Sequence, residues 1–146
     1  MNEQDERFVP VGKHLLRIDD DSAYLIARDV LTADDMRVLL ETFDRVAKES
    51  GGLFVLYDGT KCTGIDPAAR KLAALERPTQ READLQVAFG VSFAIRIIVN
   101  MLIRAQALLR TRTVNLFILN SETEALAFFE TEREKIRKKL RAASSL

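Results

Sequence analysis

Short, continuously apolar runs alternate along this chain with longer stretches whose apolar residues return every three or four positions, and few architectures accept that alternation. Leu53 to Tyr57 is the clearest short run. A strand that is apolar at every position has no face to give to water, so it reads as buried on both sides of a parallel sheet. Just upstream, Met36, Leu39, Leu40, Phe43, Val46 and Ala47 recur at helical spacing, forming one apolar stripe. Thr32 offers the N-cap of that helix, Asp34 and Asp35 put acids in its first turn, and Gly51-Gly52 stops it.

The remaining segments repeat the alternation. His14 to Ile18 and Ala23 to Ala27 flank the polar break Asp19-Asp20-Asp21-Ser22 and read as a hairpin. The polar run from Asp58 to Gly64 reads as a loop leading to Asp66, which can cap a helix with Pro67 at its first position. That helix carries Ala69, Leu72, Ala73 and Leu75 and ends at Pro78. Leu85 to Val91 reads as a strand, Ser92 caps a helix running to about Arg110, and Thr113 to Leu119 is a further strand. Ser121 and Glu124 form a capping box before a last helix through Leu126, Phe129, Ile136 and Leu140. The predicted order is ββαβαβαβα: a mixed, mainly parallel sheet with an N-terminal hairpin at its antiparallel edge. Residues 1–10 read as a polar lead-in, 11–142 as a single domain and 143–146 as a tail.

At 146 residues, 47% of them hydrophobic, the chain can build one core. The 22 basic and 22 acidic side chains cancel, so no bulk charge draws it to nucleic acid. The neutral total hides an asymmetry. Residues 1–72 hold 14 acids and 10 bases, while residues 73–146 hold 8 acids and 12 bases. Six of those bases lie between Arg133 and Arg141, interleaved with acids, and suit the C-terminal end of a helix. The start of the sequence lacks the positive-then-apolar pattern of a secretory signal, and charges interrupt the apolar stretch from Leu85 to Leu109, so the expected location is cytoplasmic.

Chemistry-bearing constellations are scarce. One cysteine, Cys62, and one histidine, His14, cannot build a multi-cysteine zinc site or a histidine cluster, and no metal or cofactor is expected. Asp58-Gly59-Thr60 after an apolar strand resembles the start of a haloacid-dehalogenase-type phosphatase. Leu56 stands where the nucleophilic aspartate belongs, so that chemistry is excluded. Ser92 sits at a strand-to-helix turn like a hydrolase nucleophile, but the single histidine lies upstream of it, and an N-cap role fits better. Lys61 beside Cys62 could lower the thiol pKa, although a lone cysteine is usually incidental. His14 reads as an unremarkable edge-strand residue. No catalytic residue is assigned, and the chain is expected not to be an enzyme.

The stretch LFVLYDGTKCTGIDPAARKL, Leu53 to Leu72, resembles the signature of STAS domains, the fold of bacterial anti-sigma-factor antagonists. Asp58, Thr60, Thr63, Ile65 and Asp66 stand at the matching places, and Ala69 takes a small-residue position. The resemblance implies a regulatory protein-interaction module whose partner is read by Asp58, Thr60, Thr63 and Asp66. The family's phosphorylatable serine directly follows the second aspartate, and here that place is Pro67, which has no hydroxyl. This chain therefore looks like a side branch without that switch; Thr60 or Thr63 could substitute. Some relatives resemble lipid-carrying SEC14-type domains, which implies an alternative role in binding an apolar ligand or a membrane surface.

The helix from Ser92 to Arg110 is the feature that a minimal STAS domain does not need. Arg96, Asn100 and Arg104 step by four along one polar ridge. Apolar residues fill the rest, an arc of about 200° where a helix facing one core needs roughly 100°. Phe93, Ile97, Ile98, Met101 and Leu102 are the candidate residues for a second contact. Neighbouring helices, a second copy of the chain in a homodimer, or an acyl chain with Arg96, Arg104 and Arg110 meeting anionic head groups could each provide it.

Overall fold

The computed structural model describes residues 1–74, 83–109 and 115–145. The elements are β1 (Val9–Val11), β2 (His14–Asp19), β3 (Ser22–Leu31), α1 (Ala33–Ser50), β4 (Phe54–Ile65), α2 (Pro67–Ala74), β5 (Leu85–Phe89), α3 (Phe93–Leu109), β6 (Leu116–Leu119) and α4 (Glu122–Ser144). They form a six-stranded sheet in the order β1-β2-β3-β4-β5-β6. β1, β2 and β3 are antiparallel, and β3 to β6 are parallel. The α/β class, the mixed sheet and the expected succession of elements are as the sequence reading has them, with one strand added at the front.

The local signals act as expected. Thr32 accepts from the Asp35 amide while the Asp35 side chain accepts from the Thr32 amide, a complete capping box. Gly51 ends α1 in the left-handed region, with φ of 77°. The Ser92 hydroxyl accepts from the Ile95 amide, and that of Ser121 from the Glu124 amide, which is one half of the expected capping box. Pro67 opens α2, where its missing N–H is no loss. The expected helix end at Pro78, the polar stretch from Thr79, the position of Arg110 and the strand start at Thr113 lie outside the described residues.

The parallel strands follow one another without any reversal of order. Crossovers of the usual hand then place every connecting helix on the same face. The cores agree. One gathers Leu25, Val55 and Ile65 of the sheet against Leu39 and Phe43 of α1, Ala69 of α2 and Ile95 of α3. The other gathers Ile26, Phe54, Leu56 and Val87 against Ala125 and Phe129 of α4. Alternation along β4 divides its apolar run between both, with Val55 on one side and Phe54 and Leu56 on the other.

Two expectations are corrected here. The run from Asp58 to Gly64 is not a loop: β4 continues through it to Ile65, paired in parallel with Arg28, Asp29, Val30 and Leu31 of β3. Two register shifts in that pairing, with Asp29 at φ of 55°, absorb the irregular Gly-Thr-Lys-Cys-Thr-Gly composition. The N-terminal residues are also more than a polar lead-in. Val9–Val11 pairs with β2, Phe8 is buried under α4's side of the sheet, and Met1 packs on that core with its ammonium against Glu122. Pro10 is tolerable because β1 is the sheet's edge.

His14 is likewise corrected. β2 lies between β1 and β3, not at the edge, and His14 is fully buried. The Arg28 amide donates to its Nδ1 at 3.0 Å, which leaves Nε2 to donate to Asp35 Oδ2, also at 3.0 Å. Burial pushes the Asp35 carboxyl up, but hydrogen bonds from Thr32 and His14 outweigh it and hold the group below its usual range. The same carboxylate leaves no room for a side chain at Gly12, where an added Cβ would lie 2.4 Å from Asp35 Oδ1 and φ is 57°. One buried junction thus ties the β1–β2 turn, β2, β3 and the start of α1.

Candidate functional site

Asp58 is the last residue of β4 to pair with β5, opposite Phe89. From there β4 runs on beside β3, carrying exposed Thr60, Lys61 and Thr63 beyond the end of β5. Asp58 Oδ1 accepts from the Thr60 amide at 2.9 Å. The turn after β5 presses on Thr60: Gly90 has φ of 69°, and a Cβ there would stand 2.4 Å from Thr60 Oγ1. Glycine is required at that point for both reasons. Asp66 stands half-buried before α2; its amide donates to Leu31 O and its carbonyl accepts from the Arg70 amide. The four residues expected to bind a partner therefore lie along the distal half of β4 and the start of α2, joined to the start of α3 through the Thr60–Gly90 contact.

Cys62 is not a reactive thiol. It lies in β4 and not in a loop, is buried, and burial pushes its pKa up. Lys61 is tied elsewhere: its Nζ meets Glu3 at 2.9 Å, and Arg28 meets the same carboxylate at 2.6 Å. Among the described residues, no group of three or more His, Cys, Asp or Glu side chains is placed to hold a metal ion.

The candidate residues on α3 divide into two sets. Phe93, 78% exposed, Ile97 and Met101, 61% exposed, follow one another every four residues along the outer surface. Ile98 and Leu102 are half-buried, and Ile98 packs on the core beneath. Together with Met101 they also line a groove between α3 and α2, completed by Ala74, Ala105, Arg70 and Lys71. Neighbouring helices therefore cover part of the wide apolar arc and leave an outer stripe in water. No helix among the described residues is long and apolar enough to cross a membrane.

Beneath α3 lies a feature that periodicity does not announce. A partly open cavity of about 200 Å³ lies between the sheet and α1, α2 and α3. Its floor includes the small residues Ala27 of β3, Gly59 of β4 and Ala88 of β5 beside larger ones such as Leu25, Tyr57 and Gln86, and α3 makes its close backbone approaches to α2 and β4. A Cβ at Gly59 would sit tightly, 3.1 Å from the Val91 side chain and 3.3 Å from the Phe89 carbonyl. Among the described residues, the few polar groups in the lining are uncharged. Tyr57 OH donates to Gln86 Oε1 at 2.6 Å, and Gln106 Nε2 donates to Ala73 O at 3.1 Å.

The class that fold and site define is an α/β domain built on a mixed, mainly parallel six-stranded sheet, with a polar rim at the ends of its parallel strands and an apolar helix beside it. A solved structure from Shewanella loihica PV-4, an uncharacterized protein of the DUF3478 family described as having a SpoIIAA-like fold, is similar to it. The match covers 78% of this chain and 89% of that one, at 17% identity and a TM-score of 0.46. No family model matches the chain, and no curated protein matches it significantly.

Proposed function

We propose that this chain is a non-enzymatic, STAS-like regulatory module that binds a protein partner across the α2–α3 groove, the outer stripe of α3 and the adjoining rim of Asp58, Thr60, Thr63 and Asp66. The observation that carries the reading is the exposed row Phe93, Ile97 and Met101 beside an apolar groove with Arg70 and Lys71 at its edge. Protein interfaces are built in this way, with aromatic and Met anchors at the centre and polar or cationic groups around them. The basic edge favours a partner that presents an amphipathic helix with acidic flanks. Pro67 denies the module a phosphorylatable hydroxyl at the family's usual place, so control rests with the partner or with the nearby threonines.

A photo-crosslinking amino acid at position 97 of the full chain, expressed in its own cells, tests this. A discrete heterologous adduct is expected, lost with Phe93→Ser or Met101→Lys and kept with Lys139→Ala on α4. Adducts that form equally from position 139, or none at all, defeat the reading. A homodimer through the same stripe is separated by light scattering: Ile97→Glu would halve the mass. Ile98→Glu is the poorer choice because Ile98 packs on the core.

A further inference from the structure

We infer that the cavity under α3 is a binding site for a small, uncharged, mainly apolar molecule that carries one carbonyl or hydroxyl group. Three observations point to that occupant.

Size comes first. A dry apolar cavity of about 150 Å³ accepts benzene, so one of about 200 Å³ has room for on the order of eight non-hydrogen atoms, and more where it opens outward. Charge comes second. Among the described residues, Gln86, Gln106 and Tyr57 are the polar side chains of the lining, and no Lys, Arg, Asp or Glu belongs to it. A carboxylate or ammonium entering this space would lose its water without finding a counter-ion, whereas a ketone, ester or alcohol would lose little. Geometry comes third. The Tyr57 hydroxyl engages the Gln86 oxygen and thereby fixes the amide, whose nitrogen is the natural donor to a ligand carbonyl.

The position of the opening follows from burial. Most linings on the β3 and α1 side, such as Leu25, Leu31, Leu39 and Leu40, are buried and Met36 alone of α1 is half-buried, while Val99, Ile103, Gln106, Leu116 and Ile118 on the α3 and β6 side are all half-buried. The ligand therefore enters beneath α3. The site uses the inner side of that helix and the proposed partner its outer stripe and the α2–α3 groove; Leu102 borders both, but the two take different occupants, so either can be wrong while the other stands.

The test titrates 2-octanone and octanoate into the full chain, followed by calorimetry and by the methyl NMR signals of Ala27 and Ala88. 2-Octanone is expected to bind, to shift both methyl signals, and to bind at least tenfold more tightly than octanoate. Ala88→Leu fills the floor and should weaken 2-octanone at least tenfold while the chain remains folded. Ala27→Leu serves the same purpose if Ala88→Leu does not fold. Gln86→Leu should weaken 2-octanone about tenfold and leave benzene binding unchanged. The inference is overturned if 2-octanone at millimolar concentration moves neither methyl signal, if the floor-filled variant binds it as the parent does, if Gln86→Leu has no effect on it, or if octanoate binds as tightly.

Discussion

On the α4 side of the sheet, Phe54, Leu56, Val87 and Phe129 are buried completely, and Tyr24 meets Phe129 edge to face at 5.9 Å. On the other side, Ala27, Gly59 and Ala88 lie under three helices and leave a cavity. Polar anchoring differs in the same sense. Arg133 donates to Ser22 Oγ and Tyr24 OH and lies over the Phe129 ring, and Arg137 grips Asp21 through two nitrogens. Among the described residues α3 is held to its neighbours by a single neutral bond, from Gln106 to the Ala73 carbonyl, and its outer row faces water. The lesson is a division of labour within one sheet: a face closed by fully buried rings supplies stability, and the stability it supplies lets the opposite face keep a hollow and an outer helix stripe in water.

The largest test of that division truncates one side chain on each face. Phe129→Ala removes a fully buried ring and should cost about 3–5 kcal/mol in denaturant unfolding. Leu102→Ala, half-buried and bordering an existing void, should cost only about 1 kcal/mol. Equal costs would mean that the two faces are packed alike. Next in size is His14→Ala, expected to cost about 2–3 kcal/mol, because it strands the Arg28 amide and one bond of the Asp35 carboxylate in the interior. A loss below about 0.5 kcal/mol would show that the junction is not structural.

The pH dependence sharpens the contrast further. Burial raises the Asp21 carboxyl, but hydrogen bonds from Arg137 and Ser22 and the charges of Arg137 and Arg133 outweigh it, so its pKa lies below the usual value. A carboxylate with a depressed folded-state pKa adds stability above its unfolded-state value and loses it as pH falls through the folded-state value. Stability should therefore decline from about pH 4 downward, and Asp21→Asn should flatten that decline while lowering stability at pH 7. Urea titrations at pH 7, 4 and 3 measure both; an unchanged slope would remove Asp21 from the account.

Much of the fold was legible because its signals are local. The α1 stripe, the Thr32, Ser92 and Ser121 caps and the Gly51 stop each lie within a few residues of what they control. β1 escaped because three residues around Pro10 carry no period, and β4 was cut short because Gly-Thr-Lys-Cys-Thr-Gly looks like a turn until β3 is beside it. His14 and Asp35, 21 residues apart, share no sequence signal. Of the candidate site, the apolar surplus of α3 was visible, but not which residues face water. The cavity was invisible, since Ala27, Gly59 and Ala88 come from three strands and only the sheet register assembles them.

The smallest effect concerns how each face opens. Cys62 lines the hollow and is buried, with its thiol pushed up in pKa, so it should react with a disulfide reagent only when that face loosens. Loosening there requires α2 and α3 to lift from small floor residues and not from interlocked rings. The opening free energy from labelling rates should thus fall about 1–2 kcal/mol below that of global unfolding. A thiol placed under α4 as Ala125→Cys, in a Cys62→Ala background, should label only at the global cost, because Ala125 is fully buried beside Phe129. If the two thiols report the same free energy, the faces open together, and the idea that one is held firm so that the other can yield has to be given up.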